Sequence, residues 1–282
     1  MASLAGSAVG WRSAINTRIG VFYNVMHSID LQPYLEFATS LAYHAGKITL
    51  RYFNTGVVPD RKPNNDPVTI ADREAEAYVR GEVERTFPGH SIVGEEYGEQ
   101  GNGHPFRWIV DPIDGTISFV RGVPLYGVLI ALEIEGEVKV GAAYFPPLDE
   151  MLAAAEGLGC WNNGRRARVS NVSRFSEASV VTSDFQHLEK KRPGIVSSFE
   201  REGTLLRTWG DAYGYLLVAT GRAEVALDPR MDVYDCGPYP VIMKEAGGFF
   251  GAWDGTEGHI HGEGLACNAA LKQDVMKLMR GN

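Results

Sequence analysis

Residues 108–119 read WIVDPIDGTISF. An apolar run leads directly into two aspartates, Asp111 and Asp114, with Pro112 between them and Gly115-Thr116 behind them. A buried strand that ends in two carboxylates is unfavourable on its own. Two such charges about 4 Å apart repel by roughly 4 kcal/mol at an effective dielectric near 20. A proton or a cation removes that repulsion, and hard carboxylate oxygens favour Mg²⁺ or Mn²⁺ over zinc. Pro112 fixes φ and stiffens the turn. Gly115 permits an unusual backbone angle and close approach of a ligand. Thr116 to Phe119 can open a helix whose free N–H groups suit a phosphate. The plainer alternative is an aspartate-rich turn in which the acids only cap a helix.

Upstream, Ser91-Ile92-Val93 runs into Gly94-Glu95-Glu96, a second strand that ends in acids. Strand ends are where open sheets build sites. Further out, Asp30 reads as a helix N-cap with Pro33 in the first turn. Leu35, Ala38, Ala42, Ala45, Thr49 and Tyr52 then form one helix face. Residues 53–67 are rich in turn formers and read as a loop. A second helix runs from about Ile70, with Ala71, Ala75, Val79, Val83 and Phe87 on one side, and Pro88-Gly89 ends it. Downstream, Val128–Leu132 and Val138–Phe145 flank the turn Glu135-Gly136, and Asn163-Gly164 marks another hairpin. Residues 29–167 thus read as an α+β half, two helices against an antiparallel meander. In 168–282, strands at Ser179–Thr182, Leu205–Thr208, Glu224–Leu227, Gly248–Gly251 and Leu265–Cys267 alternate with helices. The helices lie near Ala212–Thr220, Pro238–Glu245 and Ala269–Met279, and the pattern is α/β.

The chain has 282 residues and a formal net charge of −8. That charge does not suggest a nucleic-acid surface. No apolar run approaches the roughly 20 residues of a membrane span. Cys160, Cys236 and Cys267 show neither zinc nor redox spacing and read as small core residues of a reducing compartment, hence a cytoplasmic protein. Residues 1–28 read as an extension outside the core, with Met26 as a plausible core start. His259 and His261 could share a strand face as weak metal ligands, but their Gly-rich surroundings read as an exposed loop.

Taken together, GEE at 94–96, WIVDPIDGT at 108–116 and DVYDCG at 232–237 resemble the inositol monophosphatase superfamily of Mg²⁺-dependent, lithium-sensitive phosphatases. The resemblance covers roughly residues 30–280. It implies a layered αβαβα sandwich of the inositol monophosphatase/fructose-bisphosphatase type, a homodimer, and a small phosphate-ester substrate. It also implies two or three Mg²⁺ per subunit, with Mn²⁺ as a substitute. By resemblance, Glu95, Asp111, the Ile113 carbonyl, Asp114 and Asp235 hold the metals. Asp235 also reads as an N-cap. DPVTIAD at 66–72 resembles the segment whose last aspartate, Asp72, works with Thr116 on the attacking water. From spacing alone, Thr69 and Asp72 form a capping box. Lys62 lies one residue off the family's loop lysine.

The stretch 207–238 resembles the histidinol-phosphatase branch more than the inositol branch. By alignment Gly210, Asp211 and Ala212 contact substrate, as do Asp114, Gly115 and Thr116, and Asp228 falls where inositol enzymes place a substrate-binding glutamate. Asp211 and Asp228 could pair with the ammonium and imidazole of histidinol phosphate. The alternatives are a helix cap for Asp211 and a turn with Pro229 for Asp228. Arg207 could reach substrate, a neighbouring subunit or a structural ion pair. Ile117 and Tyr234 depart from the family pattern and bear on substrate choice. The competing functions are an inositol or broad sugar-phosphate phosphatase and, in another class, a regulatory RNA-associated protein.

Overall fold

A computed structural model describes residues 29–63, 66–101 and 103–280. The expected extension, 1–28, lies outside the described residues. The chain divides between Asp30 and Leu31, and the elements described here belong to the unit that begins at Leu31. In chain order they are α1 (Gln32–Thr49), β1 (Asp60–Arg61), β2 (Pro67–Val68), α2 (Ile70–Thr86), β3 (Ser91–Gly94), β4 (Gly98–Gln100), β5 (Phe106–Asp114), α3 (Thr116–Val120), β6 (Gly127–Ile134), β7 (Glu137–Phe145), β8 (Glu150–Ala155), β9 (Gly159–Asn162) and β10 (Arg165–Arg166). There follow β11 (Ser179–Val181), α4 (Phe185–Lys191), α5 (Ile195–Arg201), β12 (Leu205–Arg207), α6 (Ala212–Ala219), β13 (Val225–Asp228), α7 (Val233–Cys236), α8 (Tyr239–Ala246), β14 (Gly248–Gly251), β15 (Gly264–Asn268) and α9 (Lys272–Arg280).

Two sheets organise these elements. An eight-stranded sheet has the order β10-β9-β8-β7-β6-β5-β3-β4, and a five-stranded sheet the order β12-β11-β13-β15-β14. Strand β6 shows why the first is an inner layer. All eight of its residues are buried. Val128, Ile130, Leu132 and Ile134 pack with Ala38, Leu41 and Ala45 of α1 and Val79 of α2. Leu129 faces the other way, into a core shared with Tyr215 of α6, Ile242 of α8 and Ala266 of β15. Alternate residues of one strand thus serve two layers. A third core packs the second sheet against α5 and α9 through Phe199, Val275 and Met279. The layering is α1/α2, sheet, α6/α8, sheet, α5/α9, the expected αβαβα sandwich.

The structure departs from the sequence reading in several places. Helix α1 begins after Leu31, which is in a right-handed helical conformation and makes no side-chain capping bond. The first sheet is not a pure meander, because β3 pairs parallel with β5. That pairing sets the two acid-bearing strand ends side by side. The loop 53–67 carries strands of its own, β1 and β2. Strand β8 and helices α4 and α5 were not expected at all. All three cysteines are free and buried.

Candidate metal centre and its cleft

Strand β5 answers the question its sequence poses. Asp111 pairs with Leu129 and Asp114 with Gly127, so two residues of β5 oppose the single residue Val128 of β6. That is a β-bulge. Simple alternation would put residues 111 and 113 on one face, and the extra residue puts Asp114 there instead. Asp111 Oδ1 accepts the Ile113 N–H at 3.0 Å, which fixes its orientation. Carboxylate oxygens of Asp111, Asp114 and Asp235 lie within 4.8 Å of one another.

The Glu95-Glu96 turn is held from behind by Glu76, which is fully buried in α2. Glu76 accepts the N–H groups of Glu96 (2.7 Å) and Tyr97 (3.2 Å) and pairs with Arg80 Nε at 2.7 Å. Gly94 is required at this point, because a Cβ would lie 2.2 Å from Glu76 Oε1. Lys62 Nζ bridges Glu95 and Glu96 at 2.7 Å each. The shifted lysine therefore still reaches the acids. Sequence reasoning missed Glu76, although a glutamate four residues after Asp72 on the buried stripe of α2 was a visible signal.

From the second half come Asp211, Asp232 and Asp235. The N-cap of α7 is Asp232, not Asp235. Asp235 occupies the third helical position and accepts the Asp232 N–H at 2.7 Å. Asp211 occupies the N-cap position of α6 but makes no side-chain capping bond, with φ 49° and ψ −158°. Such a backbone costs on the order of 1–3 kcal/mol in a residue other than glycine. An aspartate cap typically contributes ~1 kcal/mol, and that is forgone here. Asp211 Oδ2 instead accepts the Ser118 hydroxyl at 3.0 Å. Gly115 has φ 88°, and a Cβ there would lie 2.9 Å from Asp211 Oδ2.

These groups line a cleft of about 220 Å³ with Asp66, Glu95, Asp114, Thr116, Asp211, Arg230, Asp232, Tyr234 and Asp235. A larger groove of about 900 Å³ lies between α1 and β8–β9 and contains none of these acids. Burial, reinforced by Glu95, pushes the Asp111 carboxyl well above the usual range. Burial and the charges of Asp235, Asp211 and Asp228 do the same to Asp114. Burial pushes Asp235 up to about 7. Burial raises Asp211 to about 6, with Asp228 adding to the rise and Ser118 opposing it. Glu96 is raised to about 7 by burial against the opposing Lys62. The cluster is thus poised to exchange protons for a cation.

Asp72 is buried, and burial raises it to about 6 against its bonds from Thr69. Its Oδ2 accepts the Thr69 N–H (2.8 Å) and hydroxyl (2.6 Å), so the capping box is formed. Its Oδ1 is buried without a hydrogen-bond partner. Thr116 does not bond to Asp72; its hydroxyl donates to the Ile113 carbonyl at 3.1 Å.

Asp228, Arg207 and His259 are placed as follows. Asp228 is 5% exposed and ends β13. Its Oδ1 accepts the Ser183 N–H (2.9 Å) and hydroxyl (2.5 Å), and its Oδ2 accepts the Tyr215 hydroxyl at 2.8 Å. It is absent from the cleft lining, and its charge contributes to raising Asp114 and Asp211. Arg207 is exposed, bonds the Leu206 carbonyl and lies 6.0 Å from the Trp209 ring, outside the cleft lining. His259 is not in an exposed loop but buried, 3.2 Å from Glu133, which Arg107 also holds.

The donor set fits a divalent cation. Hard oxygens converge, and burial with mutual repulsion disfavours their ionised forms in the absence of a cation. A model of the inositol monophosphatase family matches residues 30–281. The histidinol-phosphatase of Chlorobaculum parvum is 41% identical over 249 residues, 87% of this chain and 96% of that one. The histidinol-phosphatase of Mycobacterium tuberculosis is 36% identical over 249 residues, 86% and 96% of the two chains. Among solved structures, an IMPase of Thermotoga maritima superposes with a TM-score of 0.81 at 29% identity, covering 88% of this chain and 97% of its own. A layered αβαβα fold with an acid cluster between strand ends is that of a metal-dependent phosphatase. The chain belongs to the inositol monophosphatase family.

Proposed function

We propose that this protein hydrolyses L-histidinol phosphate to L-histidinol and phosphate, a step of histidine biosynthesis. The observation that carries the reading is the charge of the cleft outside the metal-ligand set. Asp66, Asp211 and Asp232 line it against one basic side chain among the described residues of that lining, Arg230. Arg230 pairs with Asp66 at 2.8 Å and lies 3.9 Å from Asp232, so that Asp211 is the acid without a cationic partner there. A leaving alcohol that bears an ammonium and an imidazole gains charge-assisted bonds there. An inositol hydroxyl can donate to the same carboxylates but brings no positive charge to offset theirs. The two histidinol-phosphatase relatives support the same choice.

In this reading Glu95, Asp111, Asp114, Asp235 and the Ile113 carbonyl hold Mg²⁺, with Mn²⁺ as a substitute. Bound ions of this kind polarise a phosphoryl oxygen and lower the pKa of water. Asp72 receives the proton of the attacking water through Oδ1, while Thr69 fixes Oδ2. A carboxyl raised to about 6 suits a base working near neutrality. Thr116 orients the water, and Gly115, Gly210 and Ala212 bring backbone close to the ester. The P–O bond to the alcohol breaks as the water oxygen attaches in line. Lithium sensitivity, a homodimer and a cytoplasmic location belong to the same proposal. No helix among the described residues is long and apolar enough to cross a membrane.

The test is a panel of histidinol phosphate, inositol 1-phosphate and glycerol 2-phosphate, each with Mg²⁺ or with chelator. Two charge-assisted bonds predict a kcat/KM for histidinol phosphate about 100-fold or more above the others. An equal or better value for inositol 1-phosphate refutes the reading.

A further inference from the structure

Ser118 lies in α3, two residues past Thr116, and neither the motif nor the proposed chemistry employs it. Its hydroxyl crosses to the other half of the fold and donates to Asp211 Oδ2 at 3.0 Å. We propose that Ser118 is a positioning residue for substrate selection, holding the Asp211 carboxylate in the cleft so that the enzyme prefers an ester whose alcohol carries a cation. This rests on the histidinol phosphate reading above.

Three features of the geometry support it. Asp211 stands where an aspartate normally turns back onto the amides of its own helix, yet it makes no such bond. Left alone, that is where the side chain gains most. Its backbone holds a φ of 49°, which a residue with a Cβ rarely adopts. With that backbone the carboxylate is turned from the cap, and the bond that engages it outside the helix comes from Ser118. The contact also consumes one oxygen only. Oδ2 is taken by Ser118, and Oδ1 accepts no hydrogen bond among the described residues. A carboxylate pinned by one oxygen and lining the cleft presents the other to a ligand. Finally, Gly115 keeps this corner open, since any Cβ there would press on Asp211 Oδ2. The family motif is thus coupled to the selecting acid through the residue two places beyond its threonine.

The experiment compares the full chain with Ser118→Ala, Asp211→Asn and the double variant. Each is assayed with Mg²⁺ on histidinol phosphate and on the neutral glycerol 2-phosphate. A lost hydrogen bond to a charged group predicts that S118A raises KM for histidinol phosphate about 5–10-fold, with kcat and the glycerol 2-phosphate KM moving less than about 2-fold. In the D211N background the same change should add less than about 2-fold, because the two residues act as one unit. Equal losses on both esters, or an undiminished KM effect in D211N, overturn the proposal while leaving the histidinol phosphate reading intact. A wild-type enzyme that does not prefer histidinol phosphate to glycerol 2-phosphate refutes that reading and the role of Ser118 with it.

Discussion

Removing the metal should invert the pH dependence of stability in this protein. Burial and mutual repulsion raise Asp235 from 3.8 to about 7, and they raise Asp111 and Asp114 as well. Between about pH 4 and pH 7 the metal-free folded state therefore holds protons that the unfolded chain has released. Stability falls as pH rises through that window. Asp235 alone corresponds to roughly three units, about 4 kcal/mol at 1.36 kcal/mol per unit. Asp235 is partly open to the cleft, where water and ions trim the effect. A working figure for the site is about 2–4 kcal/mol. Saturating Mg²⁺ holds the same carboxylates ionised, so the loaded protein should not lose stability over this range. A domain of this size shifts by about 2–4 °C per kcal/mol, so the rise in Tm on adding Mg²⁺ should grow by about 5–15 °C between pH 5 and pH 7.5. The assay is a thermal melt of metal-stripped and Mg²⁺-loaded protein at several pH values. His90, lowered by burial, acts in the opposite sense but is common to both forms and cancels in the difference. A Mg²⁺-induced shift that is constant, or that shrinks as pH rises, refutes the cluster as the metal site.

Asp211→Asn should weaken kcat/KM for histidinol phosphate by about 10-fold or more, the scale of a charged hydrogen bond, and that for glycerol 2-phosphate far less; equal losses would deny Asp211 a role in selection. Asp228→Asn should instead affect both esters alike and lower Tm, because its oxygens are committed to Ser183 and Tyr215; a loss confined to histidinol phosphate would mean direct contact. Glu76→Gln breaks a buried ion pair and frustrates one of three donors on that carboxylate. It should cost about 3–5 kcal/mol in denaturant unfolding and weaken Mg²⁺ binding by way of the Glu95 turn, and an unchanged midpoint would contradict that role.

How far the sequence was legible depended on whether the deciding interaction was local. The strand-to-acid junctions at Glu95 and Asp111 were legible because strand, turn and ligand are contiguous. So was the capping box of Thr69 and Asp72, a four-residue pattern that the structure reproduces. The parallel pairing of β3 with β5 was not, since no local pattern separates a parallel neighbour from a meander. Helices α4 and α5 were hidden because each is seven residues long and Pro193-Gly194 divides them, leaving too few turns for a period to register. Asp228 was misread because Asp-Pro is a local turn signal, whereas its real partners lie 45 and 13 residues away. Asp211 is the reverse case. Local preference says cap, and the contact with Ser118, 93 residues earlier, overrides it.

The same distinction bears on why the site needs both sheets. Asp111 and Asp114 come from β5, Glu95 from the turn after β3, and Asp235 from α7 beyond the second sheet's β13. The first half alone presents three acids and a neutralising Lys62. The second presents Asp235 with Asp232 and Asp211, and behind them Asp228, whose charge raises Asp114 and Asp211. Bringing these sets together without a cation is opposed by their repulsion, and the packed cores must hold them against it. A divalent ion reverses the sign of that contact. The metal would therefore tie the two halves together as well as serve the chemistry, and the excess acid behind the ligands would strengthen its hold on cations at some expense of apo stability. That surplus also leaves carboxylate on the cleft wall once the ligands are filled, where an alcohol bearing positive charge has an advantage over a neutral one.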